Sequence, residues 1–315
     1  MSQAIRHLHH VTATVSEAQP DLDFAGGLLG LRLVKRTVNF DNHHVYHFYY
    51  GTDHGAPGTI WTTFPYAGWG VPQGVHGGGQ VTSTAFSVPS DTLDEWRARL
   101  TAAGAPVAGG VARFGERSIM VRDPSGLVLE LVEDARDRRA PWAAGGVAEP
   151  MAIRGLHDVT LRLRQRAPTV ALMTDLLGFE VVAESAERTR LAVGGDAPGH
   201  LVDLVEDPDA PPGRNGLGTV HHVAFAIAGE DEQLRLREAL IGHGLEVTPV
   251  RDRTYFRSIY FREPGGVLFE VATMAPGFTI DEPLARLGQA LRLPPWEEPH
   301  RDEIEARLPA VSGAH

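Results

Sequence analysis

The feature of this sequence that most constrains its fold is a stretch that occurs twice. Residues 117–132 read RSIMVRDPSGLVLELV, and residues 257–272 read RSIYFREPGGVLFEVA. The Arg, Ser and Ile, the acidic-Pro-x-Gly turn and a late Glu all fall in register, so Glu130 matches Glu270. Apolar residues that alternate on both sides of the turn predict a strand, a tight reversal and a second strand. The chain therefore contains an internal repeat, which any fold assignment must explain first.

Two weaker copies extend the repeat to four units, each with the order strand, helix and about three strands (βαβββ). The opening strands are LHHVTATV at Leu8–Val15, QVTSTAFSV at Gln80–Val88, LHDVTLRL at Leu156–Leu163 and VHHVAFAI at Val220–Ile227. The helices that follow are predicted near residues 21–29, 92–103, 169–177 and 231–243, where Gly104 and Gly244 end the second and fourth. In the first unit, strands are then predicted at residues 31–39, 43–50 and 59–64.

A charged and then Pro/Gly/Ala-rich segment, DARDRRAPWAAGGVAEP, divides the four units into two pairs. We expect an N-terminal domain at residues 1–135, a linker at 136–152 and a C-terminal domain at 153–275. Residues 276–315 do not continue the repeat. They contain two short helical stretches split by Pro294-Pro295, which predict an arm packed back over the body. The predicted fold class is α+β, with four βαβββ modules in two tandem domains and a C-terminal helical arm.

Composition narrows the classes of function. The 315 residues, of which 43% are hydrophobic and 22% charged, are enough for two ordinary globular domains. A net charge of −11 argues against a nucleic-acid or membrane-surface partner, since both require a basic face. No run approaches membrane-spanning length and the N-terminus lacks a signal-peptide layout, so a cytoplasmic protein is expected. With no cysteine in the chain, metal ligation falls to carboxylates and the 15 histidines.

Aligning the four units shows where metal-binding side chains collect. The position of the second histidine on the opening strand is occupied, in chain order, by His10, Ser83, Asp158 and His222. The Glu270 position on the closing strand is occupied by Thr62, Glu130, Asp203 and Glu270. A carboxylate on the inner face of a sheet is costly unless it is paired or bound to a cation. His10, His222 and Glu270 together form the two-imidazole, one-carboxylate ligand set of non-haem Fe(II) oxygenases, although zinc hydrolases use a similar set.

A structural explanation competes with the functional one at each of these positions. A lone histidine on a strand is more often a hydrogen-bonded core residue than a ligand. The HHV sequence, however, occurs in the same register in the first and fourth units, which favours metal ligation. The remaining acids, Glu130, Asp158 and Asp203, lie in units without a histidine at the ligand position. We expect them to be salt-bridged or solvated rather than to form a second metal site.

With these motifs in place, the chain resembles the vicinal oxygen chelate superfamily, which includes glyoxalase I, bleomycin- and fosfomycin-resistance proteins and extradiol ring-cleaving dioxygenases. The matching segments are LHHVT, HHVAF, RTYFRSIYFREPGGVLFE and LPPWEEPHR, and they are most similar to ring-cleaving dioxygenases of the hydroquinone type. The resemblance covers nearly the whole chain and implies mixed-sheet cups, made from paired βαβββ units, around a divalent metal. Asp158 stands where the catechol enzymes carry a ligand histidine, which favours a site shared by the first and fourth units.

The resemblance also implies a reaction and a cofactor. The reaction is Fe(II)-dependent opening of a hydroquinone- or catechol-type aromatic ring with O2. His10, His222 and Glu270 would hold Fe2+, and the same donors would also accept Mn2+. By the same match, five residues would surround the substrate: His9, Thr12, His221, Arg253 and Tyr260.

The strand pattern bears on these implied roles. Thr12 shares the inward face with His10, and Tyr260 or one of the paired histidines could act as the acid–base group. On a regular strand His9 and His221 would point to the opposite side, and only a bulge would aim them at the substrate. For each of these residues, core packing or a supporting hydrogen bond is the alternative role. Arg257 competes with Arg253 as a residue that holds an anion.

Two other functions stay open. A glyoxalase-like metal-dependent lyase or isomerase would use the same fold, but it normally requires four protein ligands, and Thr62 is a poor fourth. A resistance-type small-molecule binding protein needs no ligand set, so the paired HHV motifs disfavour it. The expected partners are a small aromatic substrate and O2, without nucleic acid or membrane. Exposed cup edges would also allow a homo-oligomer.

Overall fold

The computed structural model describes residues 5–110 and 113–312 and contains four βαβββ modules, as the repeat predicts. The first module has strands β1 (Ile5–Val15), β2 (Arg32–Asn39), β3 (Asn42–Gly51) and β4 (Ile60–Pro65). The second has β5 (Gln80–Val88), β6 (Val107–Gly109), β7 (Ser118–Arg122) and β8 (Val128–Glu133). The third has β9 (Gly155–Leu163), β10 (Glu180–Glu184), β11 (Arg188–Ala192) and β12 (Leu201–Glu206). The fourth has β13 (Thr219–Ile227), β14 (Arg251–Asp252), β15 (Arg257–Arg262) and β16 (Leu268–Thr273).

One helical segment follows the opening strand of every module. The α-helices are α1 (Ala18–Leu22), α2 (Leu93–Ala102), α3 (Ala167–Asp175) and α4 (Glu230–Gly242). The first begins earlier than predicted and passes into a π-helix at Asp23–Leu28. This widening falls on the sequence DFAGGL, where two adjacent glycines weaken an α-helix. Gly104 and Gly244, which were predicted to end α2 and α4, have φ values of +74° and +91°.

The strands form two eight-stranded mixed sheets, and each sheet combines two modules. Sheet I has the order β14-β15-β16-β13-β1-β4-β3-β2, and sheet II the order β10-β11-β12-β9-β5-β8-β7-β6. The first and fourth modules are therefore joined by the antiparallel pair β1–β13, and the second and third by β5–β9. The sequence ranges 1–135 and 153–275 each contribute one module to each sheet. As independent folding domains, these ranges and the linker at 136–152 stay a prediction.

The strand register confirms the alignment of the four units. In each module the opening strand pairs in parallel with the closing strand, two residues after the aligned position of the second histidine. These pairs are Thr12 with Thr62, Ala85 with Glu130, Thr160 with Asp203, and Ala224 with Glu270. The acid position of each module is consequently held beside the histidine position by the same backbone hydrogen-bonding pattern.

Every opening strand also contains a β-bulge immediately before the aligned position of the second histidine. The register skips one residue on each strand, and the four skipped residues are His9, Thr82, His157 and His221. An extra residue bends the strand and redirects its side chain. Side chains of sequence neighbours consequently meet: the Nδ1 atoms of His9 and His10 are 2.8 Å apart, as are those of His221 and His222. Regular alternation along a strand would not allow such contacts.

The two sheets share one main apolar core. Most of their buried apolar side chains belong to one cluster, in which the rings of Trp61 on β4 and Phe86 on β5 are 6.2 Å apart. A second, smaller cluster on sheet I includes Tyr49 and takes in Phe278 of the C-terminal arm. The helices contribute buried stripes to the same cluster, such as Leu93, Trp96 and Leu100 of α2. Polar side chains on the opposite faces of the strands are therefore gathered inside the two cups.

The C-terminal arm packs against sheet I. It contains 3-10 turns at Phe278–Ile280, Leu284–Arg286 and Glu298–His300, followed by one α-helix, α5, at Arg301–Arg307. The prediction of two short helical stretches around Pro294-Pro295 thus underestimates its irregular part. The predicted arm spans residues 276–315, and its last three residues lie outside the described residues. Within the described ranges, no helix is long and apolar enough to cross a membrane.

Candidate metal centre

Three predicted ligand side chains converge in the cup of sheet I. His10 lies on β1, His222 on β13 and Glu270 on β16, so the centre is built from the first and fourth modules. His222 Nε2 is 2.8 Å from Glu270 Oε2, His10 Nε2 is 3.4 Å from the same oxygen, and the two nitrogens are 3.2 Å apart. The fold thus brings together residues that are more than 200 positions apart in sequence.

The donor triangle fits a divalent metal ion. Donors about 2.1 Å from an ion and at right angles to each other lie about 3 Å apart, which is close to the three observed separations. Glu270 is fully buried, and its Oε2 lies within salt-bridge distance of both His10 and His222 without a hydrogen bond of good geometry to either. A buried carboxylate oxygen that faces two imidazole nitrogens can be paired by a protonated histidine or by a cation bound among the three side chains. These three residues also form one of the two groups in the described chain that are close enough to hold an ion.

Neighbouring side chains fix the orientation of each donor. Ser258 Oγ donates a short hydrogen bond to Glu270 Oε1, which turns Oε2 toward the histidines. His9 and His221 each contact the Nδ1 atom of the following histidine, so Nε2 of His10 and of His222 faces the centre. Supporting hydrogen bonds of this kind hold metal-binding imidazoles in one tautomer and one ring orientation.

The electrostatics favour a charged Glu270 and a neutral His222. Burial raises the pKa of Glu270, but the neighbouring His10 and His222 outweigh it and hold that pKa well below its ordinary value. Burial lowers the pKa of His222 despite the opposing effect of Glu270. Burial, together with His222, lowers the pKa of His221 to about 3. An anionic carboxylate and unprotonated imidazoles are the forms that bind metals.

The centre opens into a cavity of about 400 Å³ with mostly aromatic walls. Of the residues that the resemblance places around the substrate, His221, Arg253 and Tyr260 line this cavity. Thr12 and His9 do not. Thr12 is buried behind the centre, where it accepts a hydrogen bond from Thr62, and His9 packs against Phe256. The volume and the aromatic lining suit one planar ring.

Tyr260 and Arg253 form a hydrogen-bonded pair on one wall. Arg253 Nε donates to the Tyr260 hydroxyl over 3.0 Å, and its Nη2 lies 3.1 Å from Asp41 at the mouth of the cavity. Burial and the charge of Glu270 raise the pKa of Tyr260 well above its ordinary value, against the opposing effect of Arg253. The tyrosine therefore keeps its proton and can donate it toward the cavity. Arg257, the competing cation, instead pairs with Glu230 and Asp252 at the surface.

Sequence reasoning did not single out His47 or Ser258. His47 on β3 lines the cavity, and Ser258 holds Glu270. Ser258 could have been found, because it lies in the repeated RSI sequence and its main chain pairs with Ala272 beside Glu270. His47 belongs to the run HHVYHFYY, in which nothing distinguishes it from the two histidines before it.

The equivalent position in sheet II is occupied by a guanidinium group. The Arg113 side chain is fully buried, with nitrogens 3.1 Å from Asp158, 3.2 Å from Glu130 and 3.8 Å from Asp203. These acids are therefore salt-bridged, as predicted. Glu116, His157 and Asp158 form the second ion-sized group, but Arg113 and Arg190 already contact its carboxylates. The second cup thus carries its own cation in the form of a side chain.

Comparisons with known proteins place the fold in a family. The model of the Glyoxalase/Bleomycin resistance protein/Dioxygenase superfamily matches residues 7–131 and 155–271. The chain is 42% identical to the "Putative ring-cleaving dioxygenase MhqO" of Bacillus subtilis, with 98% of this chain and 97% of that one covered. It is 34% identical to the "Chlorohydroquinone/hydroquinone 1,2-dioxygenase" of Sphingobium indicum, with 96% of each covered.

A solved structure agrees with these matches. The crystal structure described as a "putative dioxygenase" from Bacillus subtilis superposes with a TM-score of 0.94 and 42% identity, covering 99% of both chains. Sequence, fold and the arrangement of the cups point to the same group of proteins. The chain belongs to the glyoxalase/bleomycin resistance protein/dioxygenase superfamily.

Proposed function

We propose that this protein is a non-haem Fe(II) dioxygenase that opens a hydroquinone-type aromatic ring with O2. The observation that carries the proposal is the convergence of His10, His222 and Glu270 at the floor of an aromatic-lined cavity. Three protein donors leave coordination positions open, which a catalytic metal requires and a structural metal does not. The names of relatives at 42% and 34% identity supply the reaction class.

The chain's own residues would prepare the site for this chemistry. Fe(II), when bound by the three donors, supplies redox chemistry with O2 and lowers the pKa of a phenolic hydroxyl. Tyr260 stays protonated and donates a hydrogen bond, or its proton, to an oxygen of the substrate. Burial lowers the pKa of Arg253, but the Asp41 carboxylate and the hydrogen bond to Tyr260 raise it more, so Arg253 stays cationic. Arg253 therefore stabilises negative charge that develops on the tyrosine or the substrate.

The paired histidines would have different tasks. His221 lines the cavity and uses Nδ1 on His222, so its Nε2 is left for the substrate. His9 also uses Nδ1 on its neighbour, but its ring packs against Phe256 and does not line the cavity. We therefore assign substrate contact to His221 and a positioning role to His9. Thr12 likewise acts from behind, through Thr62.

The structure gives reasons to prefer this proposal over the two alternatives. A glyoxalase-like lyase would need a fourth ligand, but the Thr62 hydroxyl is buried and hydrogen-bonded to Thr12 and His47. A metal-free binding protein would not need two imidazoles and a buried carboxylate to converge at the floor of its cavity. Fe2+ is proposed because two imidazoles and one carboxylate with open positions are the ligand set of non-haem Fe(II) oxygenases, and reconstitution with Fe2+ and with Mn2+ decides between the two ions.

The proposal can be tested by loading the apoprotein with Fe(II), Mn(II) or Zn(II) under anaerobic conditions and then measuring O2 uptake with hydroquinone and catechol. We expect one Fe(II) per chain and O2 uptake with hydroquinone. His222→Ala should lose both the bound iron and the uptake, whereas the surface control His54→Ala should keep both. Tight zinc binding without O2 uptake in the presence of Fe(II) would reject the dioxygenase in favour of a lyase.

A further inference from the structure

The LPPWEEPHR segment of the C-terminal arm is a sequence motif to which the proposed function gives no role. The arm reaches this segment along the outer edge of β2, the last strand of sheet I, where the Arg292 amide donates to the Arg36 carbonyl over 2.9 Å. Pro294 is then buried, and its carbonyl accepts a 2.9 Å hydrogen bond from the Glu297 amide. Two consecutive prolines restrict this backbone, so the side chains of Trp296 and Glu297 start from fixed places.

These two arm side chains contact the hairpin that β2 and β3 form. The ring of Trp296 meets the ring of Phe40 edge-on, with centroids 5.5 Å apart. Glu297 Oε2 lies 2.8 Å from Nδ1 of His43. Phe40 belongs to the two-residue turn between the strands, and His43 follows it on β3. The arm therefore holds this turn from its outer side.

The same turn forms part of the wall of the cavity. Phe40 and Asp41, its two residues, both line the cavity, whereas the two arm residues do not. The Asp41 carboxylate also lies 3.1 Å from Arg253 Nη2, and Arg253 Nε donates to the Tyr260 hydroxyl over 3.0 Å. A displaced turn would consequently open one side of the cavity and release Arg253 from its acidic partner.

The exposure of Trp296 distinguishes this contact from the attachment of the arm itself. The arm is anchored by buried side chains such as Leu293 and Ile304, and by the ion pairs of the buried Lys35. Trp296, in contrast, is 47% exposed. Truncation of such a side chain costs little stability, so the contact with Phe40 is the main interaction that it removes.

We propose that Trp296 and Glu297 are positioning residues that hold the β2–β3 turn against the cavity. The turn then places Phe40 beside the bound ring and Asp41 against Arg253. Ligand affinity falls in proportion to the fraction of molecules in which the turn has this conformation. The inference rests on the proposed function only for the choice of hydroquinone as the probe.

Anaerobic binding of hydroquinone to the Fe(II)-loaded protein tests the first residue. Trp296→Ala should raise Kd about fivefold, the equivalent of one aromatic pair, mainly through faster release. Trp296→Phe keeps a ring against Phe40 and should restore most of the affinity. Trp69→Ala is the matched control and should bind as the wild type does, because Trp69 is 42% exposed and stacks on His44 instead.

Two further variants test the second residue and the route of the effect. Glu297→Ala should also raise Kd, whereas Glu298→Ala should not, because Glu298 pairs with Arg301 inside the arm. In a Phe40→Ala background, Trp296→Ala should have little further effect, since the partner ring is already missing. Melting temperatures close to that of the wild type confirm that the variants are folded. If Trp296→Ala does not fold, Glu297→Ala provides the same test.

Amide hydrogen exchange provides a readout that needs no ligand. Trp296→Ala should accelerate exchange in the peptide that spans residues 38–46 and leave the β13 peptide unchanged. Unchanged exchange at the turn overturns the proposal, as does a full additional loss of affinity in the Phe40→Ala background. Faster exchange with an unchanged Kd also overturns it. Wild-type protein that does not bind hydroquinone rejects the proposed function, and exchange at the turn then decides whether the arm holds it.

Discussion

Individual residues of this site are tuned by their nearest neighbours. His10 and His222 bind their partners through Nδ1 and therefore direct Nε2 to the centre, while Ser258 occupies one oxygen of Glu270 and leaves the other. Arg253 differs in donating to the Tyr260 hydroxyl itself, which leaves the tyrosine proton free to point elsewhere. In the three candidate ligands, the atom that faces the centre is thus selected by a hydrogen bond to the other polar atom of the same side chain.

Replacing Tyr260 by Phe removes one hydroxyl and keeps the ring. If the tyrosine donates a proton in the reaction, kcat should fall by about 100-fold, while the iron content stays at the wild-type level. Steady-state O2 uptake and metal analysis of the same sample measure both quantities. Met120→Leu, at the equivalent position of the second cup, serves as the control. An unchanged kcat for Tyr260→Phe would show that the proton comes from another group.

At the scale of elements, the repeat explains why two similar hairpins do different work. Arg113 and Arg253 occupy equivalent positions before the repeated hairpin, and the next residues, Phe114 and Thr254, both have positive φ, at +46° and +65°. In sheet I the arginine stays on the cavity wall beside Tyr260. In sheet II Met120 stands at the tyrosine position and offers no such partner, and the arginine lies among the acids instead.

Arg113→Met should therefore leave several buried carboxylates without their cation. We expect the free energy of unfolding to fall by about 3–5 kcal/mol at pH 7, as for other broken buried ion pairs. The loss should be smaller at pH 5, because unpaired buried acids take up protons there. Urea unfolding at the two pH values measures this difference. Arg117→Met, in the same loop but largely exposed, is the matched control and should change stability by less than about 1 kcal/mol.

The C-terminal arm is attached to the edge strand β2 by a lysine without solvent exposure. Lys35 Nζ lies 2.5 Å from both Asp281 and Glu282, and the Tyr255 hydroxyl donates to Asp281 over 3.1 Å. Tyr255 immediately precedes Phe256, which packs against His10 with ring centroids 5.2 Å apart. The arm thus supports the wall behind the candidate centre.

Lys35→Met should destabilise the protein by about 3–5 kcal/mol, because Glu282 remains buried without a cation. The double variant Lys35→Met/Glu282→Gln should recover part of this loss, since the uncompensated charge is then removed. Chemical denaturation of the two variants provides the comparison. Arg36→Met, on the neighbouring position of β2, should have an effect below about 0.5 kcal/mol. A small effect for Lys35→Met would mean that the arm is not held by this ion pair.

For the whole molecule, one buried histidine predicts how stability depends on pH. Burial lowers the pKa of His157, but Asp134 and Asp158 outweigh it and raise that pKa from 6.5 to about 8. The folded state therefore holds the proton more tightly than the unfolded chain. The stabilisation is fully present below pH 6.5 and disappears as the pH rises through about 8.

The loss over this interval should be about 2 kcal/mol, because each pKa unit corresponds to about 1.4 kcal/mol. Unfolding free energies measured in urea between pH 6 and 9 provide the test. His157→Gln should remove this part of the pH dependence, whereas the exposed His54→Gln should preserve it. A wild-type profile that is flat over this interval would show that His157 is not protonated in the folded protein.

The sequence by itself determined the local structure and the choice of candidate ligands. Alternating apolar residues and the acidic-Pro-x-Gly turn specify the hairpins, because strand periodicity and turn geometry depend on residues close together in the chain. The repeat then aligned His10, His222 and Glu270. The parallel pairing of the opening and closing strands in each module confirmed that alignment, because both strands belong to the same short module.

The sequence predicted a site shared by the first and fourth units, but only the tertiary structure showed how the strands join these modules and which side chains meet inside each sheet. Pairing of β1 with β13 joins modules from opposite ends of the chain, and the two bulges turn His9 and His221 toward their neighbours. Such choices depend on backbone hydrogen bonds between distant strands, which leave no periodic signal in the sequence. For the same reason, the sequence did not reveal that His47 lines the cavity of sheet I or that Arg113 lies among the acids of sheet II.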